Sequence, residues 1–247
     1  MIEHALYPKL STYAALNKTD IVLDAGAGFG FLSRYLANKC KTIVAVEKDK
    51  QVATVLRNQV KDIDNIIVIE GDVLKANLPA FNKVVSIPPY YLSSHLIMWL
   101  LEREIDCAVL ILQKEFASRL VAPIGSENYG WLTVISKQYA EAELLDEVPK
   151  TMFYPQPEVD SQIIKLKFCT KKPFEVKNQE FFKQMSKWLF SQRNKKLSKA
   201  LGPFLKTKLK LTKQDAEKLV FTLPFIDRRA RELTPAEFGE LANAISN

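Results

Sequence analysis

The sequence predicts an α/β fold on a mostly parallel sheet, followed by a smaller all-helical domain. Over the first 110 residues, short apolar runs alternate with segments of helical period, the rhythm of βαβ units. The strand-like runs are near-continuously apolar, as in parallel strands buried on both faces. After about Phe168 the chain becomes helical, amphipathic and lysine-rich.

The elements follow in order. "IEHALYPKLSTYAALN" has helical spacing in its second half, and "DIVLDAG" (20–26) is an apolar strand ending in glycine. "FLSRYLANK" reads as a helix, "KTIVAVEKD" as a strand, "KQVATVLRNQVKDI" as a helix and "NIIVIEGD" as a strand. "NKVVSI" and "CAVLILQ" are strands on either side of the helix "SHLIMWLLERE". "YGWLTVISKQYA" fits a helix, and "AELLDEVP" and "DSQIIKLKF" are two strands whose return is antiparallel. Seven strands result. "NQEFFKQMSKWLFSQRNKKLSKALG" reads as helical, and "TKQDAEKLV" and "TPAEFGELANAIS" as short helices, each capped by its leading Thr. The composition shift places the boundary between domains 1–170 and 171–247.

The 247 residues are 47% hydrophobic, enough for a sizeable core and against bulk disorder. The run "LIMWLL" is far too short to span a bilayer, and the N-terminus does not read as a signal peptide. Cys40, Cys107 and Cys169 are widely separated, which points to reduced thiols in a cytoplasmic protein, and no zinc site is expected. Between Ser161 and Lys213, fifteen Lys or Arg face two acids, a local +13 within an overall +7. So uneven a charge points to a polyanionic partner, although a solvated lysine-rich face has the same composition.

"LDAGAGFGFLS" (23–33) places Gly26, Gly28 and Gly30 between a strand and a helix. Glycines allow a sharp turn and close approach of backbone N–H groups to a ligand. The spacing G-x-G-x-G, rather than G-x-G-x-x-G, favours S-adenosylmethionine over a pyrophosphate cofactor. Glu47 ends the second strand, where its carboxylate can accept both ribose hydroxyls. Asp72 follows the third, within reach of an adenine amine. Strand ends on one edge of a parallel sheet are where open α/β sheets bind ligands. "VVSIPPYYLSS" (84–94) closes the fourth strand with a stiff two-proline turn, an outward aromatic ring and a Ser-Ser helix cap.

With that turn, the chain resembles the ribosomal RNA adenine N6,N6-dimethyltransferases of the KsgA/Erm type over nearly its whole length. "VVSIPPYYLSSHL" is similar to their Asn-Pro-Pro-Tyr or Asn-Leu-Pro-Tyr motif, and "FYPQPEVDSQIIKL" to their Phe-x-Pro-x-Pro-x-Val-Asp-Ser segment. "FSQRNKKLSKAL" and "RARELTPAEFGELANAI" resemble the C-terminal helical domain of the KsgA branch. The resemblance implies a Rossmann-like class I methyltransferase with a seven-stranded sheet and S-adenosylmethionine as methyl donor. It implies as substrate two adjacent adenines near the 3′ end of small-subunit rRNA, in rRNA or a pre-ribosomal particle.

The resemblance also implies roles. Tyr90 stacks on the flipped adenine and Phe153 forms the second aromatic wall. The Pro88 carbonyl accepts from the adenine amine. Ile87 stands where the family carries its acceptor Asn, beside the cofactor, and has no polar atom to offer. The family's Gln-x-Phe-Leu segment, which covers the methionine end of the cofactor, does not precede the first helix. Both departures leave a rival reading, a catalytically weak or inactive homologue acting as an RNA-binding assembly factor. Gly26, Gly28, Glu47, Asp72 and Ile87 are the cofactor-binding candidates, and Pro88, Tyr90 and Phe153 the catalytic ones. Arg193, Lys195, Lys196 and Lys199 form the leading RNA patch of an expected monomer.

Overall fold

The computed structural model describes residues 3–246 and divides into two compact units. One runs to Ser118 and resumes over Ala140–Phe168. The other comprises Arg119–Tyr139 and the chain from Cys169 onward. Residues 119–139, which the composition shift near 170 assigns to the first domain, therefore group with the C-terminal helices. Their amphipathic helix packs on that unit's core, a choice that charge composition does not register.

The first unit is a seven-stranded sheet in the order β3-β2-β1-β4-β5-β7-β6. Its strands are β1 (Ile21–Ala25), β2 (Thr42–Glu47), β3 (Ile66–Glu70), β4 (Lys83–Ser86), β5 (Cys107–Gln113), β6 (Ala140–Val148) and β7 (Ser161–Phe168). The first five are mutually parallel, and β7 runs antiparallel to both β5 and β6. Val22, Leu23, Val44, Ala45, Val84, Val109 and Leu110 are wholly or almost wholly enclosed, as apolar runs covered on both faces require. Strand β3 lies at an edge and is only half-buried, despite its equally apolar sequence.

Helices α1 (Leu6–Tyr13), α2 (Phe31–Ala37), α3 (Lys50–Val60), α4 (Ser93–Leu100) and α5 (Lys114–Leu120) belong to the crossovers and flanks. Asp49 caps α3 by accepting from Gln51 N and Val52 N at 2.8 and 3.0 Å. The Ser-Ser cap expected before α4 does not form. A single 3-10 turn, Tyr90–Leu92, runs directly into that helix, and Leu92 N donates to Pro89 O at 2.9 Å. The turn meets the helix's leading N–H groups itself, and the Ser93 hydroxyl is left buried without a partner.

The second unit holds α6 (Trp131–Tyr139), α7 (Gln179–Ser191), α8 (Leu197–Lys208), α9 (Lys213–Thr222) and α10 (Pro235–Ile245). Phe182, Met185, Leu189, Leu201, Phe204, Phe238 and Leu241 form its core. Thr212 and Thr234 cap α9 and α10 as expected, Thr234 in a capping box with Glu237. The segment 178–202, helical throughout by its periodicity, is broken at 192–196. Leu197 N and Ser198 N donate instead to Arg228 O and Ile226 O, both at 2.8 Å. Pairing with a distant stretch takes the donors that a continuous helix would use.

Candidate active site

The sheet order reverses between β1 and β4, so the loops after these strands part and leave a crevice at the carboxyl edge. Four successive strand ends converge there. After β1, Gly26 N and Ala27 N both donate to Val46 O, at 2.9 and 3.0 Å, stitching the glycine turn to β2. Gly26 has φ +77°, and a Cβ on it would lie 2.7 Å from Pro89 Cδ. The second proline of the "IPPY" turn is thus seated on the glycine turn, and two motifs far apart in sequence interlock. Gly28, at φ +56°, has no atom within 4 Å of where a Cβ would sit. Its open side faces the cavity.

Glu47, ending β2, accepts from Gly28 N through Oε2 and from Asp49 N through Oε1, both at 2.9 Å. A carboxylate offers about four lone-pair positions, so one on each oxygen is left for a vicinal diol. Asp72, after β3, accepts from Leu74 N at 3.1 Å and from Lys48 Nζ at 3.2 Å. These two hydrogen bonds, the backbone one foremost, hold its carboxyl below the usual range, so it is an anion at neutral pH.

Two cavities meet at this edge and share Gly26, Glu47 and Pro89. The smaller is lined also by Asp72, Gly71 and Tyr91. The larger, about 610 Å³, takes in Tyr7, Asp24, Gly28, Ile87 and Phe153. That volume suits a nucleoside-sized ligand. The expected cofactor residues Gly26, Gly28, Glu47, Asp72 and Ile87 are therefore brought together, with Glu47 bordering both chambers. An acid with open lone pairs, an anionic acceptor on the next strand and a glycine-walled chamber fit an adenosyl group with its methionine tail.

Sequence reasoning missed two groups here. Asp24 lies within β1 at 1% exposure and borders the larger cavity. Burial pushes its carboxyl up to about 7, the Glu47 charge adds to this, and a 2.6 Å hydrogen bond donated by Ser33 Oγ opposes it. A signal exists in the sequence, since an acid stands inside the apolar run "IVLDA" with a serine in the next helix. Tyr7 of α1 is the other, its phenol pushed up to about 12 by burial and then by Asp24. No local motif marks it.

The catalytic candidates are placed differently from one another. Phe153 borders the larger cavity, brought there from a segment distant in sequence from the glycine turn. Tyr90 borders neither cavity. It is half-buried, and its hydroxyl is hydrogen-bonded to Ser161 Oγ at 2.6 Å. The outward ring expected of the turn is that of Tyr91, 74% exposed. Ser161 opens β7, is fully buried, and closes the Phe-x-Pro-x-Pro-x-Val-Asp-Ser segment. Its hydrogen bond joins the base of the Tyr90 turn to the segment that carries Phe153. Pro88 is buried, and its carbonyl accepts no hydrogen bond among the described residues.

In the helical unit Arg193, Lys195 and Lys196 lie on the turn between α7 and α8, and Lys199 in the first turn of α8. Arg193 is a clamp on its own unit, its guanidinium donating to Glu127 O at 2.7 Å and Ser126 O at 2.8 Å. Lys195 reaches Gln192 Oε1 at 2.8 Å, Lys196 pairs with Asp227 at 3.1 Å, and Lys199 is exposed.

A glycine turn, a strand-end acid on each of the next two strands and a proline-rich turn on the fourth, on this strand order, define a Rossmann-like S-adenosylmethionine-dependent methyltransferase. The family model described as ribosomal RNA adenine dimethylase matches residues 4–229, and the chain belongs to that family. It is 40% identical over 247 residues to a probable ribosomal RNA small subunit methyltransferase A of Methanosarcina mazei, covering 99% of this chain and 90% of that one. A protein of the same description from Pyrococcus abyssi is 35% identical over 231 residues, covering 92% and 82%. A dimethyladenosine transferase from Plasmodium falciparum superposes with TM-score 0.81 at 26% identity, covering 98% of this chain and 95% of that one. The 23S rRNA methyltransferase ErmE superposes with TM-score 0.70 at 25% identity, covering 99% and 98%. The chain is thus an rRNA adenine dimethyltransferase that uses S-adenosylmethionine, and rRNA is its substrate class. Among the described residues no helix is long and apolar enough to cross a membrane.

Proposed function

We propose that this chain dimethylates N6 of two adjacent adenines near the 3′ end of small-subunit rRNA, within a ribosomal particle, and acts as a cytoplasmic monomer. The observation that carries the reading is the interlock of the Gly26 turn with Pro89, which sets a cofactor chamber against the "IPPY" turn. Relatives described as small subunit methyltransferases support the choice of subunit. Bound S-adenosylmethionine supplies an electrophilic methyl group.

The residues divide the work. Asp72 accepts from the cofactor's adenine amine, and Glu47 from its ribose hydroxyls. Gly26 and Gly28 let the backbone approach, and Ile87 walls the chamber on the side of the target base. That base leaves its stack and is held between Tyr90 and Phe153. Its amine lone pair is delocalised into the ring, so attack requires the nitrogen to pyramidalise. The Pro88 carbonyl, accepting from an amine hydrogen, favours that change and acts most strongly in the transition state. Lys195, Lys196 and Lys199 of the helical unit contact RNA phosphates, with Arg193 holding their turn in shape.

Transfer of labelled methyl groups to small-subunit particles lacking the modification is the test. Label in adjacent adenines of the small-subunit RNA is the expected result. Label confined to large-subunit RNA, or none, would reject this substrate.

A further inference from the structure

We propose that Ile87 makes this enzyme faster at the second methyl transfer to an adenine than at the first, so that monomethylated product does not accumulate. The inference rests on the proposed function, in which Ile87 stands beside the target amine. Ile87 is half-buried, packs against the core and borders the larger cavity together with Pro89, Phe153 and Pro155. The next residue, Pro88, is buried, with a carbonyl that no described donor takes. The Ser86 hydroxyl, one residue back in β4, is fully enclosed in the sheet without a hydrogen-bond partner and borders neither cavity. Pro88 itself lines neither cavity, so its carbonyl enters as the acceptor of the proposed function, and what the turn shows to the larger cavity is apolar, Ile87 and Pro89.

That pairing matches a secondary amine better than a primary one. With unmodified adenine, one N–H meets the Pro88 carbonyl and the other faces Ile87, where it is removed from water and unpaired. A buried donor without a partner is disfavoured. In the first transfer the nitrogen gains a carbon–nitrogen bond as the sulfur–methyl bond breaks, and one amine proton passes to solvent. With N6-methyladenine, the methyl takes the place of the unpaired hydrogen against Ile87, and apolar contact there is favourable. The remaining N–H keeps the Pro88 carbonyl until the second transfer replaces it. An amide at position 87 would invert this order, pairing both hydrogens of adenine and then facing a methyl group.

Single-turnover methylation of small-subunit particles, followed by nucleoside mass spectrometry, yields both rate constants from the rise and fall of N6-methyladenine. Wild type is expected to show a second step faster than the first. Ile87→Asn should lower the ratio of second to first by about tenfold or more, tenfold being the effect of roughly 1.4 kcal/mol from one unpaired polar group. Ile87→Val should keep the wild-type order. A second measurement needs no turnover: binding of short target-segment RNAs in the presence of S-adenosylhomocysteine. Wild type should bind the N6-methyladenine form at least as tightly as the adenine form, and Ile87→Asn should reverse the preference. Should Ile87→Asn not fold, accumulation of monomethyl product by wild type, or its preference for unmodified RNA, overturns the inference. Equal ratios in a folded Ile87→Asn also overturn it while leaving the proposed activity standing. Absence of any methyl transfer removes both.

Discussion

Replacing Asp24 with Asn keeps the shape of the side chain and removes its titration. The carboxyl is buried at 1% exposure, held by one hydrogen bond from Ser33 Oγ at 2.6 Å. Burial first, then the Glu47 charge, raises its pKa from 3.8 to about 7. In the unfolded chain it titrates near the lower value. Between the two the folded state holds a proton that the unfolded state has released, so stability must fall as pH rises. The contribution is fully present below about 4 and fully lost above about 7. About three pH decades at roughly 1.4 kcal/mol each give an upper bound near 4 kcal/mol for this single group. Urea unfolding at half-unit steps from pH 4 to 8 measures it. The wild type should lose up to that amount relative to Asp24→Asn across the window. Because S-adenosylmethionine is cationic, saturating it should pull the Asp24 pKa down and flatten the wild-type slope. A stability difference independent of pH would show that Asp24 is ionised in the folded protein and refute the reasoning.

Glu47→Ala should weaken S-adenosylmethionine binding at least about tenfold by titration calorimetry, since removal of one charge-assisted hydrogen bond suffices for that. It should leave the chain folded, since Glu47 is a half-buried strand-end acid, and unchanged affinity would remove it from the ribose site. Ser161→Ala and Tyr90→Phe each delete one end of the same 2.6 Å hydrogen bond. Each should slow single-turnover methylation by about tenfold at unchanged cofactor affinity, and the double variant no more than either alone, whereas additive effects would separate the two residues. Lys195, Lys196 and Lys199 changed together to Ala should lower RNA affinity and reduce the salt slope by about 0.7 to 0.9 for each phosphate no longer neutralised. An unchanged slope would mark them as a solvated face. Arg193→Ala should instead lower the melting temperature, because two backbone carbonyls are deprived of their donor.

Seven strands, nearly all of their limits, and the residues that gather at the strand-end edge can be read from the sequence alone. Apolar runs such as "IVLDA", "TIVAVE" and "CAVLILQ" are too short for helices of their own and rich in β-branched residues, which marks them as strands, and glycines followed by a helix mark a turn. Glu47 and Asp72 are legible because a carboxylate directly after a parallel strand falls on the ligand-binding edge whatever else the chain does. Thr212 and Thr234 are legible because capping joins groups within a few residues of each other.

Contacts between residues far apart in the chain come only with the fold. Pro89 seated on Gly26, Tyr90 bonded to Ser161, and Arg193 holding the carbonyls of Ser126 and Glu127 have no local signature. The helix break at 192–196 exists because residues 226–229 offer carbonyls that outcompete a further helical turn. The grouping of 119–139 with the C-terminal helices follows from which core its apolar face fills. Asp24 shows the division within one residue. Its place in an apolar strand is local, but the burial that takes most of the water from the carboxyl and, with the Glu47 charge, raises its pKa is a property of the folded whole.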